Sequence, residues 1–212
     1  MRILKSRFAI IITFIILFIS ISYGQGDRYL TVNAAWSKPA GDLSNWFKYG
    51  QNITLGMGTQ NQKDWYVEGI IEYSQYTEDN LAGYPDGKLD LYLEHIAIWA
   101  GGKYPFFKRG RFTPFLSIAG GPLYWRGIRG EIKENEELSI PHIARETLDE
   151  IDMGARAGLG AFMHLNRFKV SFEANYRLVI GTLYPTMQEY IELDGVNGFQ
   201  SFNLKAGLYY NF

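Results

Sequence analysis

The stretch FKVSFEANYRLVI, residues 168–180, sorts its side chains with a period of two. Val170, Phe172, Ala174, Tyr176 and Leu178 share one face, and Lys169, Ser171, Glu173, Asn175 and Arg177 share the other. Successive side chains of an extended strand point to opposite sides, whereas a helix would scatter these residues around its circumference. The segment is therefore a β-strand with one apolar and one ionic face. Residues 201–212 repeat the pattern: Phe202, Leu204, Ala206, Leu208, Tyr210 and Phe212 alternate with Ser201, Asn203, Lys205, Gly207, Tyr209 and Asn211. Between Asp152 and Met163, Met153, Ala155, Ala157, Leu159, Ala161 and Met163 oppose Asp152, Gly154, Arg156, Gly158 and Gly160.

Working back towards the N-terminus, three further segments alternate less cleanly. Leu30, Val32, Ala34 and Trp36 oppose Thr31, Asn33, Ala35 and Ser37, and Ile53, Leu55 and Met57 oppose Asn52, Thr54, Gly56 and Gly58. Val67, Gly69, Ile71 and Tyr73 oppose Glu68, Ile70, Glu72 and Ser74. The fourth and fifth strands, near Leu91 to Lys103 and Phe112 to Leu123, are the least regular, because Trp99 and Phe115 fall on the otherwise polar face. The total is eight strands with minimal helix.

Connections between the strands alternate in length. Short ones are expected near Asn61 to Asp64, Tyr104 to Arg111 and Leu165 to Arg167. Long ones are expected near Pro39 to Gly50, Glu78 to Asp90, Trp125 to Ile151 and Gly181 to Gly198. Short turns on one side and long loops on the other are the pattern of an up-and-down transmembrane barrel with both termini in the periplasm. Aromatics gather near strand ends: Trp65, Tyr104, Phe106, Phe107, Phe112, Phe168 and Phe212 at the lower rim, and Trp36, Trp46, Tyr73, Tyr76, Tyr124, Trp125 and Tyr184 towards the upper. These are read as two interfacial girdles. A soluble secreted barrel or sandwich is the rival fold, since alternation tells which residues share a face and not which face meets solvent. Loop alternation and the girdles favour the membrane. The expected fold class is all-β, an eight-stranded antiparallel up-and-down transmembrane β-barrel.

Three motifs carry a family resemblance. The ending LKAGLYYNF, residues 204–212, resembles the C-terminal signature of Gram-negative outer-membrane barrels. The stretch TPFLSIAGGPLYW, residues 113–125, resembles a PY-x-x-x-G-x-G strand of the small-barrel families, with Phe115 in place of the tyrosine. FEANYRL, residues 172–178, is similar to their penultimate strand. Nearly all of the chain beyond residue 24 is thus similar to the outer-membrane β-barrel superfamily that includes the OmpA membrane domain and OmpX. The resemblance implies that Leu208, Tyr210 and Phe212 act as the signal read by the barrel assembly machinery. It implies an architecture and no single task.

The barrel geometry sets the expected interior. Eight strands enclose a space that side chains just fill, so no open aqueous channel is expected. Glu68, Glu72, Arg156, Lys169, Glu173, Arg177 and Lys205, with His95 and Asp152, point inward, and burying them is tolerable only if opposite charges pair and hydrogen-bond. A structural charge network is one reading. A narrow ion or small-solute pore is the alternative. A lipid-modifying barrel enzyme is a second alternative, but nucleophilic catalysis by serine needs a histidine with an orienting carboxylate. The three histidines, His95, His142 and His164, form no such motif, so no catalytic residue is assigned and no enzyme activity is expected.

Outside the strands, residues 131–152, EIKENEELSIPHIARETLDEID, carry eight acidic residues against Lys133 and Arg145. Glu131, Glu134, Glu136, Glu137, Glu146, Asp149 and Glu150 mark a candidate surface loop. It reads either as a solvated loop kept soluble by charge or as a surface for an extracellular or envelope protein partner. Carboxylate clusters suit divalent cations, but no spaced D-x-D-x-D-G loop is present, so no metal and no cofactor are assigned. The aromatics of the first connection, Trp46, Phe47 and Tyr49, lie either against lipid or over the barrel mouth.

The N-terminus gives the address. Arg2, Lys5 and Arg7 precede an apolar run from Phe8 to Ile19, and Ser22 and Gly24 follow as the small residues of a cleavage site. The run is shorter than the roughly 20 apolar residues of a spanning helix, so residues 1–24 are read as a signal peptide and 25–212 as the barrel domain. Removing the three basic residues leaves 18 basic against 22 acidic, a net charge of −4. The expected location is the outer membrane, as a monomer among lipids that include lipopolysaccharide. No basic stripe is present, so nucleic acid is not an expected partner. Cysteine is absent, which excludes disulfides, thiolate metal sites and an N-terminal lipidated cysteine.

Overall fold

A computed structural model describes residues 26–45, 47–61, 65–78, 91–107, 111–129, 146–183 and 196–212; residues 1–24, read as a signal peptide, lie outside them. Eight strands follow one another: β1 (Asp27–Ala40), β2 (Phe47–Gln60), β3 (Tyr66–Glu78), β4 (Leu91–Pro105), β5 (Phe112–Arg129), β6 (Glu146–Leu165), β7 (Phe168–Leu183) and β8 (Val196–Asn211). Each pairs antiparallel with the next, and β8 returns to β1, closing the barrel. The sole helical element among the described residues is a 3-10 turn at Gly41–Asn45.

The register fixes the barrel's dimensions. A path across paired residues from Leu30 of β1 runs through Met57, Gly69, Ala100, Gly120, Ala155, Leu178 and Gln200 and returns to β1 at Ala40, ten residues further on. Eight strands with this stagger incline about 40° to the axis and enclose a backbone radius of about 8 Å. A cylinder this narrow is filled by side chains. The sharp turn between β6 and β7 uses Asn166 at a φ of 51°, a left-handed conformation that asparagine tolerates better than most residues.

The wall is apolar outside and polar inside. Ile118, Ile180, Leu159, Phe172, Phe202 and Leu204 are exposed on the outer face, Ile180 to 75%. Inside, Glu68, Glu72, Lys103, Arg156, Lys169, Glu173, Arg177 and Lys205 are all buried. This inverts the usual soluble arrangement, and a continuous apolar outer surface of this extent is stable only against lipid. Around the lower rim Trp65, Tyr104, Phe106, Phe107, Phe112, Phe168 and Phe212 face outward, as do Trp36, Tyr73 and Tyr124 near the upper rim.

Several expectations need correction. Tyr76 and Trp125, expected in the upper girdle, point inward and are 2% exposed. Both share the inward parity of their strands, with Glu72 and Ser74 on β3 and with Leu123 on β5. Trp46 and Tyr184 lie outside the described residues. The first connection is shorter than expected: Pro39, Ala40 and Phe47–Gly50 belong to β1 and β2, which leaves residues 41–46. The third begins later and ends earlier, because β5 runs to Arg129 and β6 starts at Glu146. Glu146, Asp149 and Glu150 are therefore strand residues, paired in register with Arg129, Arg126 and Trp125. Within that stretch Arg126 stands opposite Asp149, and opposite charges across strands favour pairing. The fourth and fifth strands also extend beyond their expected ends, to Pro105 and Arg129.

Candidate functional site

The candidate site is the interior, which is layered along the axis. At the lower end Tyr29, Tyr66, Phe115, Phe162 and Tyr209, from five different strands, form an aromatic floor. Phe162 is central: its ring centroid lies 4.4 Å from Phe115, 4.9 Å from Tyr66 and 5.2 Å from Tyr209. Such tilted and edge-on contacts add to the stabilisation from burial. Below the floor Lys169 donates to the Tyr66 hydroxyl at 2.9 Å and to Gln60 Oε1 at 3.0 Å.

Aromatic rings on an otherwise polar face need room, and glycines on β6 provide it. A Cβ at Gly154 would stand 2.9 Å from the Trp99 ring, and one at Gly160 would run into Phe115. Trp99 and Phe115, the two residues that break the sequence alternation, are thus the fully buried partners of the small positions opposite.

Above the floor lies a first ionic cluster. Lys103 Nζ is 2.5 Å from Glu68 Oε1 and 2.5 Å from the Tyr209 hydroxyl, and 3.8 Å from Glu173 Oε2. Lys205 Nζ is 3.0 Å from Glu173 Oε2, while Ser117 and Asn175 donate to Glu173 Oε1 at 3.0 and 3.1 Å. Glu173 and Lys205 are direct cross-strand partners, so the alternation that sends both inward also brings them together. Lys103 is not among the inward residues expected from the sequence. It shares β4 parity with His95 and Trp99, and extending that alternation by two steps finds it.

A second cluster sits nearer the upper end. Arg156 Nη1 donates to Glu72 Oε2 at 2.9 Å, Arg177 pairs with Glu72 Oε1 and donates to the Tyr76 hydroxyl, and Arg177 Nε donates to Ser201 at 3.2 Å. His95 Nε2 lies 3.2 Å from Glu72 and 2.9 Å from Arg177 Nη1. Both guanidinium groups also face aromatic rings, Arg156 over Trp99 at 5.0 Å and Arg177 over Phe199 at 4.9 Å. A planar, weakly hydrated cation suits this dry setting better than an ammonium. Between the clusters Asn33 donates to Thr54 on the neighbouring strand at 2.7 Å, and Asn203 donates to Asn175 on the neighbouring strand at 2.9 Å and accepts from Ser201 at 3.4 Å.

An apolar lid closes the upper end. Leu43 of the 3-10 turn and Phe47 pack with Tyr76, Leu93, Trp125 and Phe199. Of the two positions open to the first connection's aromatics, Phe47 takes the one over the mouth, fully buried. Asp152, on the inner face, accepts from Trp125 Nε1 at 2.8 Å. Every ionised group in the central layers thus has an opposite charge or a hydrogen bond within reach, as burial demands.

The remaining candidate residues are dispersed. Leu208, Tyr210 and Phe212 face outward at the end of β8, where Tyr210 packs against Phe168 at 5.3 Å and the Phe212 amide donates to the Arg28 carbonyl at 3.0 Å. Glu131, Glu134, Glu136, Glu137 and His142 lie outside the described residues. His164 contacts Thr113 at 3.0 Å near the lower rim, whereas His95 lies 3.2 Å from Glu72 Oε1 inside the lumen, where Ser74 Oγ donates to the same carboxylate oxygen at 3.3 Å.

No family model matches the sequence, and no curated protein does. Among solved structures the chain is similar to Neisserial surface protein A, at 15% identity over 87% of this chain and 97% of that one, with a TM-score of 0.52. It is also similar to a major outer membrane protein from Thermus thermophilus, at 11% identity over 87% of this chain and 99% of that one, with a TM-score of 0.56. The shared feature is the fold: this chain has the architecture of the small outer-membrane β-barrels.

Proposed function

We propose that the chain is an exported outer-membrane protein, with residues 1–24 as its signal peptide and 25–212 as its barrel, and that it serves the envelope as a closed structural body and a surface for interactions through its extracellular loops. The observation that carries this reading is the sealed lumen. An aromatic floor and an apolar lid enclose charges already committed to one another. A pore would need wetted, unpaired charge along its length, and the ion pairs oppose that. The barrel stands as a monomer among outer-membrane lipids, lipopolysaccharide included, with Leu208, Tyr210 and Phe212 as the segment read by the assembly machinery. The acidic residues between β5 and β6 are then available to an extracellular or envelope protein partner.

Two measurements test this. Membrane fractionation with surface proteolysis of intact cells is expected to recover the chain in the outer membrane with cleavage confined to the connections after β3, β5 and β7. Purified protein in planar bilayers is expected to show no steady single-channel conductance. A stable conductance would sink the sealed lumen, and a mature chain that stays monodisperse without detergent would sink the membrane assignment.

A further inference from the structure

The outer wall is not smooth. Ala34 and Ala206 are cross-strand partners on β1 and β8, set among the larger Trp36, Ile53, Tyr73 and Leu204. They floor a groove of about 620 Å³ whose lining also includes Gln51 and Gln75, which are cross-strand partners on β2 and β3. A second depression, about 410 Å³, shares Leu204 and Ala206 with the first and continues down the wall past Phe172 and Ala174. Together they form a continuous trough that runs from Gln51 and Gln75 down to the middle of the wall.

Charge on the upper outer wall is uneven. Lys38, two residues above Trp36 on the same face of β1, is exposed, as is Lys48 near the start of β2. Among the described side chains, the outward carboxylates there are Glu94 on β4 and Asp149 on β6, each paired in register with Arg126. Lys38 and Lys48 therefore stand above the β1–β2 side of the trough, whereas Glu94 borders its β3 side, where it accepts from the Tyr73 hydroxyl at 3.0 Å and has Gln75 and Arg126 as cross-strand partners.

Resting on the membrane placement proposed above, we infer that the trough seats an acyl chain of one outer-leaflet lipid whose phosphate head group carries a net negative charge. Lys38 and Lys48 engage the phosphate, and the Gln51 and Gln75 amides meet the polar linkage between head and tail. A chain on a flat wall touches protein on one side, whereas a chain in the trough is contacted on three, and dispersion contacts add up over its length. A juxtamembrane cation adds an attraction to anionic head groups worth roughly fivefold in affinity.

The test uses the refolded barrel in neutral detergent with phosphatidylglycerol or phosphatidylcholine of identical acyl chains, and native mass spectrometry to count retained lipid. One phosphatidylglycerol per barrel is expected, held in preference to phosphatidylcholine. Ala206→Phe and Ala34→Phe, which fill the trough from outside the barrel core, should abolish retention, while Ala157→Phe on the β6 wall should leave it intact. Lys38→Gln with Lys48→Gln should weaken it roughly 30-fold. Equal retention of both lipids, or equal behaviour of Ala206→Phe and Ala157→Phe, overturns the site. Heat-modifiable electrophoretic mobility separates the two readings: a folded barrel without lipid preference removes the trough alone, whereas a chain that will not fold in detergent removes the membrane placement as well.

Discussion

Phe115 and Gly160 are cross-strand partners on the inner face, and the Phe115 ring occupies the space that a side chain on residue 160 would need. The ring cannot swing aside freely, because it also packs on Phe162 at 4.4 Å within the aromatic floor. Gly160→Leu should therefore destabilise the barrel by about 1 to 3 kcal/mol, the usual cost of overpacking. Phe115→Ala in the same chain should recover part of the loss, because the two changes share one volume and cannot be additive. Urea unfolding in lipid vesicles measures both. Strictly additive losses would mean that the ring and the glycine are not coupled.

The pair Glu173 and Lys205 should respond asymmetrically to mutation. Glu173 has Lys205 at 3.0 Å, Lys103 at 3.8 Å and hydrogen bonds from Ser117 and Asn175. Lys205 has Glu173 as its only ion-pair partner among the described residues. Removing one member of a buried pair costs about 3 to 5 kcal/mol when the other is left uncompensated. Glu173→Gln should fall in that range, whereas Lys205→Gln should cost less because Lys103 and the two neutral donors still serve the carboxylate. Vesicle unfolding midpoints that rank the other way would show that the network is arranged differently.

On the outer face, Leu204→Arg should destabilise by about 2 to 4 kcal/mol, the cost of a cation facing the bilayer near its midplane. The same change at Phe212, at the rim, should cost no more than about 1 kcal/mol, because its side chain can reach the interface. The contrast depends on depth alone and is read from the same unfolding measurement. Equal costs would argue against a bilayer spanning this wall.

Much of this architecture is legible in the sequence because a narrow barrel imposes one rule on every strand. Residues of one parity face lipid and residues of the other face the lumen, so the 168–180 pattern alone sets the inward direction of Glu173 and Arg177. Parity cannot report distance across the lumen. That Arg177 of β7 reaches Glu72 of β3, on the opposite wall, depends on the ten-residue stagger, which emerges only when the register of every strand pair is known. Tyr76 and Trp125 stand near strand ends, where a girdle is expected, yet parity rather than height decides which way they point. Lys103 is hard to find because Trp99 obscures the alternation of β4, and the reason a tryptophan fits there, Gly154 opposite, belongs to a different strand.

The boundary of the third loop yields a last prediction. Pairing between β5 and β6 continues up to Arg129 and Glu146, with Arg126 opposite Asp149 and Trp125 opposite Glu150. Replacing residues 131–145 by a short glycine–serine connection should therefore leave heat-modifiable folding and the unfolding midpoint unchanged, since no strand residue is lost. Extending the deletion through Glu150 removes five residues of β6, strips Arg126 of its cross-strand carboxylate and takes away the residue paired with Trp125. Trp125 belongs to the apolar lid, so this longer deletion should lower the midpoint measurably and allow collisional quenching of tryptophan fluorescence to rise. If both deletions behaved alike, the upper part of the β5–β6 ladder would contribute nothing to closing the lumen, and the lid would have to be held by the 3-10 turn, β2, β3, β4 and β8.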